Sequence, residues 1–314
     1  MRFGLKVSGC FGDVLNSTPV LKYLSQCHDD KIDLETNRPE IFINNPYVGV
    51  IYNPEEGSIM PHSQTFYDCN GHNFGDVQKQ IRNMHLTDYW STHLGFTLTP
   101  EQKTLEFYPD PLDFDLPEGQ YIVLNPSITW KSRTWDQKKW DELVEMIVEL
   151  GIKVVIDGKD ISYGEDKKTF YKIENENIIN TQNKLNLSQL WHLIQNSLAV
   201  ITMDSGFLHM AGTTDANIIQ LGSAINPFYR SPFRNGRQDY KHVYVGGSCK
   251  LFCQSDMKYN ILGDEKITRW NGYRSPDCFE NKPKFECHPS TNAVFNEIIE
   301  IIRNEYRNID RRNS

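Results

Sequence analysis

Apolar residues along this chain fall into two recurring patterns, short buried runs and helical stripes. Their alternation predicts parallel sheets flanked by helices. Residues 2–8 read as a buried strand, followed by the turn Ser8-Gly9-Cys10-Phe11-Gly12-Asp13. Val14, Leu15, Val20, Leu21 and Leu24 then share one helical face. Pro19 either starts a fresh helix after Thr18 or kinks one already begun. Residues 31–52 repeat the rhythm as strand, helix-like segment (38–45) and strand, and 53–75 read as loops with a short strand at 65–67. Residues 76–95 suggest a helix ending at Leu94-Gly95.

An acidic, proline-punctuated linker at 109–119 marks the clearest boundary. Beyond it, strands are expected at 121–124, 153–157, 199–203 and 218–221, and helices at 136–150, 187–196 and from 206. Residues 228–290 look irregular, and 291–307 form a closing amphipathic helix. The expected organisation is therefore α/β in three parts. Residues 1–115 form a Rossmann-like domain, and 116–290 a second one with a cysteine-bearing insertion at 245–290. A helix within 291–314 packs back toward the first half.

Composition narrows the function. The 314 residues are 39% hydrophobic, enough for a large core, which excludes a disordered chain. With 33 basic and 41 acidic side chains the net charge is −8, so the surface as a whole repels nucleic acid and anionic lipid. Seven scattered cysteines fit a reducing cytoplasm better than a disulfide scaffold. No apolar run is long enough to span a bilayer, and the opening residues lack a signal-peptide core.

Four groups of residues carry candidate chemistry. Gly9 and Gly12 let the backbone turn tightly after the first strand, where open α/β sheets bind ligands. The spacing is not that of a dinucleotide fingerprint. Asp13 in this loop reads as a helix N-cap or as a general base. The second group spans Asn125 to Trp135. Ser127, Thr129, Lys131 and Arg133 suit a diphosphate, and an ordinary polar loop is the plain alternative. The third is Asp204, Ser205, Gly206 and His209, a polar cluster opening a helix, with Asp204 and Ser205 as first-turn or capping residues. The fourth is Cys249, Cys253, Cys278 and Cys287, which would hold a structural zinc or iron or else remain buried thiols. Cys10, Cys27 and Cys69 need only pack.

Taken together these segments resemble the heptosyltransferase-type glycosyltransferases, family 9. The opening Gly12-Asp13-Val14-Leu15-Asn16-Ser17-Thr18-Pro19 is similar to that family's first loop and helix. Asn45-Pro46-Tyr47-Val48 is similar to its NP-x-V element, and Pro126 to Trp135 to its phosphate loop. Asp204-Ser205-Gly206-Phe207-Leu208-His209-Met210-Ala211 resembles its D-[ST]-G-x-x-H-x-A motif, followed by a glycine-then-proline loop from Gly222 to Pro227.

The resemblance implies the GT-B fold, two Rossmann-like domains with parallel sheets facing across a cleft. It also implies inverting transfer from a nucleotide-diphosphate sugar to a glycan, lipid-saccharide or protein acceptor, with no metal needed for catalysis. Asp13 then matches the base. Arg133 stands where relatives usually carry a lysine touching the phosphates, with Ser127 and Thr129 assisting. Asp204, Ser205, Gly206 and His209 match the residues that meet donor sugar and diphosphate. A cytoplasmic protein, peripheral at the inner membrane surface, goes with this reading. The family's acidic ribose-binding residue has no clear counterpart, because an insertion to Glu165 follows Asp157-Gly158-Lys159-Asp160. Nucleotide-sugar epimerases, phage-type DNA-base glycosyltransferases and non-catalytic sugar-binding proteins share the architecture as alternatives.

Overall fold

Ten short parallel strands in two sheets order the described residues. A computed structural model describes residues 3–61, 65–68, 84–126, 133–159, 177–234, 241–250, 252, 278 and 285–313. The first sheet comprises β1 (Gly4–Lys6), β2 (Ile32–Glu35), β3 (Val48–Tyr52) and β4 (Thr65–Asp68), in the order β3-β2-β1-β4. The second comprises β5 (Tyr121–Asn125), β6 (Lys153–Ile156), β7 (Ile178–Asn180), β8 (Ala199–Thr202), β9 (Asn217–Leu221) and β10 (His242–Val245), in the order β10-β9-β8-β5-β6-β7. Strand order reverses between β1 and β4 in one sheet and between β5 and β8 in the other. Open α/β sheets bind ligands outside the carboxyl ends of strands at such points. Asp13 follows β1, Arg133 follows β5 and Asp204 follows β8, so the reversals place all three at such edges.

The second sheet is buried on both faces, as helix-covered parallel sheets are. Ile122, Leu124, Val154, Ile156, Ile201, Ile219 and Leu221 join one core with α4 (Gln137–Glu149), which contributes Trp140, Leu143, Val144 and Ile147. The alternate residues Tyr121, Val123, Val155, Val200 and Ile218 join the other core, together with α5 (Leu187–Gln195) and α6 (Gly206–Gly212). That second core continues without a break into Leu5, Val7, Leu15, Leu21 and Leu34 of the first lobe. Each such aliphatic side chain contributes about 1.5–3 kcal/mol when fully buried. The lobes are thus joined by apolar packing as well as by the linker. The linker itself is pinned at Asp110, which accepts from Asn44 Nδ2 at 2.8 Å and from Ser188 Oγ at 3.1 Å.

Pro19 begins a new helix. The chain forms α1 (Phe11–Leu15) and then α2 (Thr18–His28), with Pro19 in the first turn of α2, where its missing N–H costs nothing. Three expectations are corrected and one strand is added. The segment 38–45 is only a 3-10 turn at Pro39–Ile41, bounded by Pro39 and Pro46. The region 228–290 is not wholly irregular, because His242–Val245 adds the edge strand β10 beside β9. The short edge strand β7 also went unread, since its partly exposed residues carry little hydrophobic pattern. Finally, the closing helix α7 (Thr291–Asn313) buries Val294, Ile298 and Ile301 in the core of the second lobe. It packs on α4, β9 and β10 and not toward the first half, because its apolar stripe completes the face that α4 leaves open. Helix α3 (Leu86–His93) ends, as read, with Gly95 at φ +86. Residues 76–83 of the expected helix lie outside the described residues.

Candidate active site between the two lobes

The two lobes meet where α1 touches α6, and glycine makes that approach feasible. A Cβ on Gly12 would lie 2.7 Å from His209 Cδ2 and 3.3 Å from Gly206 Cα, and one on Gly206 would lie 2.8 Å from Phe11 Cδ1. The two motif loops therefore touch. The loop after β1 is braced from its own lobe, where Gly9 N donates to Asn37 Oδ1 at 3.1 Å and Asn37 Nδ2 donates back to Gly9 O at 3.3 Å.

Asp13 is half-buried at the third position of α1, and its Oδ2 accepts from the Cys10 amide at 3.3 Å. It is therefore the returning carboxylate of a capping arrangement and not the N-cap residue itself. Burial raises the pKa of its carboxyl, and Asp204 adds to the rise. The Arg230 guanidinium, the Cys10 amide and Arg133 act against it. A carboxylate desolvated in this way is a stronger base than one in water.

From the second lobe, Arg133 Nη1 donates to Asp204 O at 3.0 Å and to Asp204 Oδ2 at 3.2 Å, with side chains only 15% and 5% exposed. Asp204 thus orients Arg133. Ser205 does not cap α6 with its side chain. Its hydroxyl lies 3.3 Å from Thr202 Oγ1 and donates to Asn125 Oδ1 at 3.4 Å. Asn125 also donates to Asp157 O at 3.0 Å, so one amide links the ends of β5, β6 and β8. The Asp157 carboxyl, accepting from Thr181 Oγ1 at 2.9 Å, is pushed up to about 6 by burial.

His209 is buried, and its Nδ1 accepts from Asn16 Nδ2 at 3.0 Å. Burial lowers its pKa to about 4; Asp204 opposes this, while Arg230 and Arg133 act with it. A second histidine lies close by. His85 caps α3, accepting from Thr87 N at 3.2 Å and donating through Nε2 to Ser231 O at 2.9 Å. Burial and then the field of His209 hold it at about 3.

The structure therefore gathers Gly9, Gly12 and Asp13 with Arg133, Asp204, Ser205, Gly206 and His209. Ser127, Thr129 and Lys131 lie outside the described residues. The sequence reading missed Arg230, whose charge bears on Asp13, His85 and His209. Its signal was its place three residues after Pro227, at the end of the glycine-then-proline loop. Asn16, Thr87 and His85 were missed as well, because nothing local marks a polar residue as the partner of one far away in the chain.

Of the late cysteines, Cys249 and Cys287 are brought together. Gly247 N donates to Cys287 O at 2.8 Å and Cys249 N to Glu286 O at 3.1 Å. Tyr244 stands near both, its hydroxyl pushed up to about 12 chiefly by burial and then by Cys287. Cys249 and Cys278 are free thiols, and Cys253 lies outside the described residues. Among the described residues no three His, Cys, Asp or Glu side chains are grouped to hold a metal.

A family model described as Glycosyltransferase family 9 (heptosyltransferase) matches residues 84–238. The match covers just under half of the chain. The matched stretch contains Arg133, Asp204, His209 and Arg230, while Asp13 precedes it. Lipooligosaccharide heptosyltransferase 2 of Haemophilus influenzae is 34% identical over 94 residues, which cover 29% of this chain. The match spans only 27% of that relative's own length. Among solved structures, the iron-containing dodecameric glycosyltransferase TibC of enterotoxigenic Escherichia coli superposes with a TM-score of 0.69 at 17% identity, covering 96% of this chain and 78% of TibC. TibC has also been solved in complex with ADP-D-beta-D-heptose. The family 9 glycosyltransferase of Veillonella parvula gives 0.62 at 14% identity over 96% of both chains. The fold is therefore the expected α/β, GT-B architecture. No helix among the described residues is long and apolar enough to cross a membrane.

Proposed function

We propose that this protein is an inverting glycosyltransferase that moves a heptose-like or other hexose from a nucleotide-diphosphate sugar to a glycan, lipid-saccharide or protein acceptor. The observation that carries this reading is the convergence of Asp13 from the first lobe with Arg133, Asp204, His209 and Arg230 from the second. ADP-heptose is the first donor to test, because TibC has been solved with it. Asp13 takes the proton of the acceptor hydroxyl as that oxygen bonds to the anomeric carbon. The bond from that carbon to the diphosphate breaks on the opposite face, so the configuration inverts. The nucleoside diphosphate leaves with its charge met by Arg133, held in place by Asp204, and by Arg230. The Ser205 hydroxyl, the His209 ring and the loop side chains Ser127, Thr129 and Lys131 complete its surroundings. A general base supplies roughly 10²–10⁴-fold. One oriented donor at the leaving group supplies about 3–4 kcal/mol.

A thermal-shift comparison of ADP-, GDP- and UDP-sugars, followed by NMR of the product's anomeric centre, tests the reading. Stabilisation by one donor and an inverted product support it, since a tight ligand raises the melting point by mass action. Retention of configuration contradicts it. A structural zinc or iron at Cys249, Cys253, Cys278 and Cys287 accompanies the proposal, supported by the backbone bonds of Gly247 to Cys287 and of Cys249 to Glu286, which bring two of the four segments side by side. Protein purified without added metal should then carry about one metal per chain, and less than about 0.2 would favour plain thiols.

A further inference from the structure

The Asn16 amide fixes the proton on His209. Asn16 Nδ2 donates to Gly12 O at 2.7 Å and lies 3.0 Å from His209 Nδ1, and Thr87 Oγ1 donates to Asn16 Oδ1 at 3.3 Å. Turning the amide over would set its oxygen against the Gly12 carbonyl, acceptor against acceptor, so the orientation is unambiguous. The atom facing Nδ1 is then a donor and nothing else. A neutral imidazole whose Nδ1 must accept carries its proton on Nε2. Among the described residues Nε2 has no hydrogen-bond partner, although the residue is only 6% exposed. It lies alongside Gly12, 3.5 Å from where a Cβ would stand, in the loop that carries Asp13.

We propose that Asn16 and Thr87, both from the first lobe, are positioning residues that hold His209 of the second lobe as the Nε2–H tautomer, so that one N–H is presented to the anionic donor substrate. This rests on the reading of His209 as a donor contact. Gly12 completes the device, since any side chain there would displace the ring. The arrangement also supplies a neutral donor beside two guanidinium groups, a place where an imidazolium would be repelled.

The test is nitrogen-15 NMR of the His209 ring in wild type, Asn16→Asp and Thr87→Val, together with ADP affinity by calorimetry. His209→Ala serves as the reference. Wild type should show the Nε2–H form. In Asn16→Asp a carboxylate oxygen faces Nδ1, so the proton moves to Nδ1 or the ring becomes charged, and ADP affinity falls about 10- to 100-fold. Thr87→Val loses only the hydroxyl that steadies the amide. It should show a mixture of tautomers and a loss of about 2- to 5-fold. An Nδ1–H ring in wild type, or a tautomer untouched in both variants, overturns the proposal. Unchanged ADP affinity in His209→Ala overturns instead the reading of His209 as a donor contact, and it does so independently of the ring's proton.

Discussion

Asn16 and His209, 193 residues apart, share a 3.0 Å hydrogen bond that ties the helix bearing Asp13 to the helix that follows Asp204. This bond and the Gly12–Gly206 approach bring the two motif loops into contact. What each loop contributes to transfer then becomes a set of separable expectations.

Arg133→Ala should weaken donor binding about 10- to 100-fold, the usual worth of a hydrogen bond to a charged group. Because Asp204 would be left buried without its ion pair, the variant should also melt several degrees lower. Arg133→Lys keeps the charge but loses the planar fork, and it should fall between the two. Calorimetric titration with the nucleotide sugar reads the first effect. An unchanged dissociation constant in Arg133→Ala would remove Arg133 from the phosphate site.

Gly12→Ala should lower both activity and stability. The new methyl would lie 2.7 Å from a ring that Asn16 holds in place, and 3.3 Å from Gly206 backbone. Overpacking of this kind costs about 1–3 kcal/mol. Gly119→Ala is a useful contrast, because nothing lies within 4 Å of that position and only its φ of +79 is strained. Chemical denaturation and turnover should show loss of transfer in Gly12→Ala and normal transfer in Gly119→Ala. Full activity with alanine at position 12 would mean that the lobes do not meet as described.

The buried histidines should withdraw stability below about pH 6.5. His85 at about 3, and His209 and His242 at about 4, are held neutral by burial. The unfolded chain takes up protons at these sites near 6.5 while the folded chain does not, so their stabilising contribution is present above 6.5 and is lost as pH falls toward 4. At pH 5 each withholds about 2 kcal/mol. The raised carboxyls of Asp13 and Asp157 act the other way, favouring the folded state as pH falls toward the ordinary carboxylate value. In the double variant Asp13→Asn/Asp157→Asn, which removes the opposing carboxyls, melting temperatures should fall from pH 7.5 to 5, and a flat or rising profile would contradict neutral burial of the histidines.

The sequence carried the second sheet well, because its central strands are continuous apolar runs that only a doubly covered sheet accommodates. It carried the motif loops through their glycines and clustered polar residues. It did not carry β7 or β10, whose three or four half-exposed residues leave almost no periodic signal. The docking of α7 was also hidden. Val294, Ile298 and Ile301 predict an apolar stripe but not the surface it will cover. At the site, the sequence marked Asp13, Arg133 and Asp204. Arg230 and Asn16 act through contacts made across the chain, and a residue's neighbours in space leave no trace in its neighbours in sequence.

The central claim is that Asp13 is the base of a site whose anion-binding half comes from the other lobe. Asp13→Asn is nearly isosteric and keeps an oxygen for the Cys10 amide, so it removes the base while leaving the fold. Single-turnover transfer measured beside donor affinity in this variant is the most direct test. The account predicts transfer slowed by about 10²–10⁴-fold with donor affinity within about a factor of three of wild type. Near-normal transfer, or a loss that lies entirely in donor binding, would contradict it.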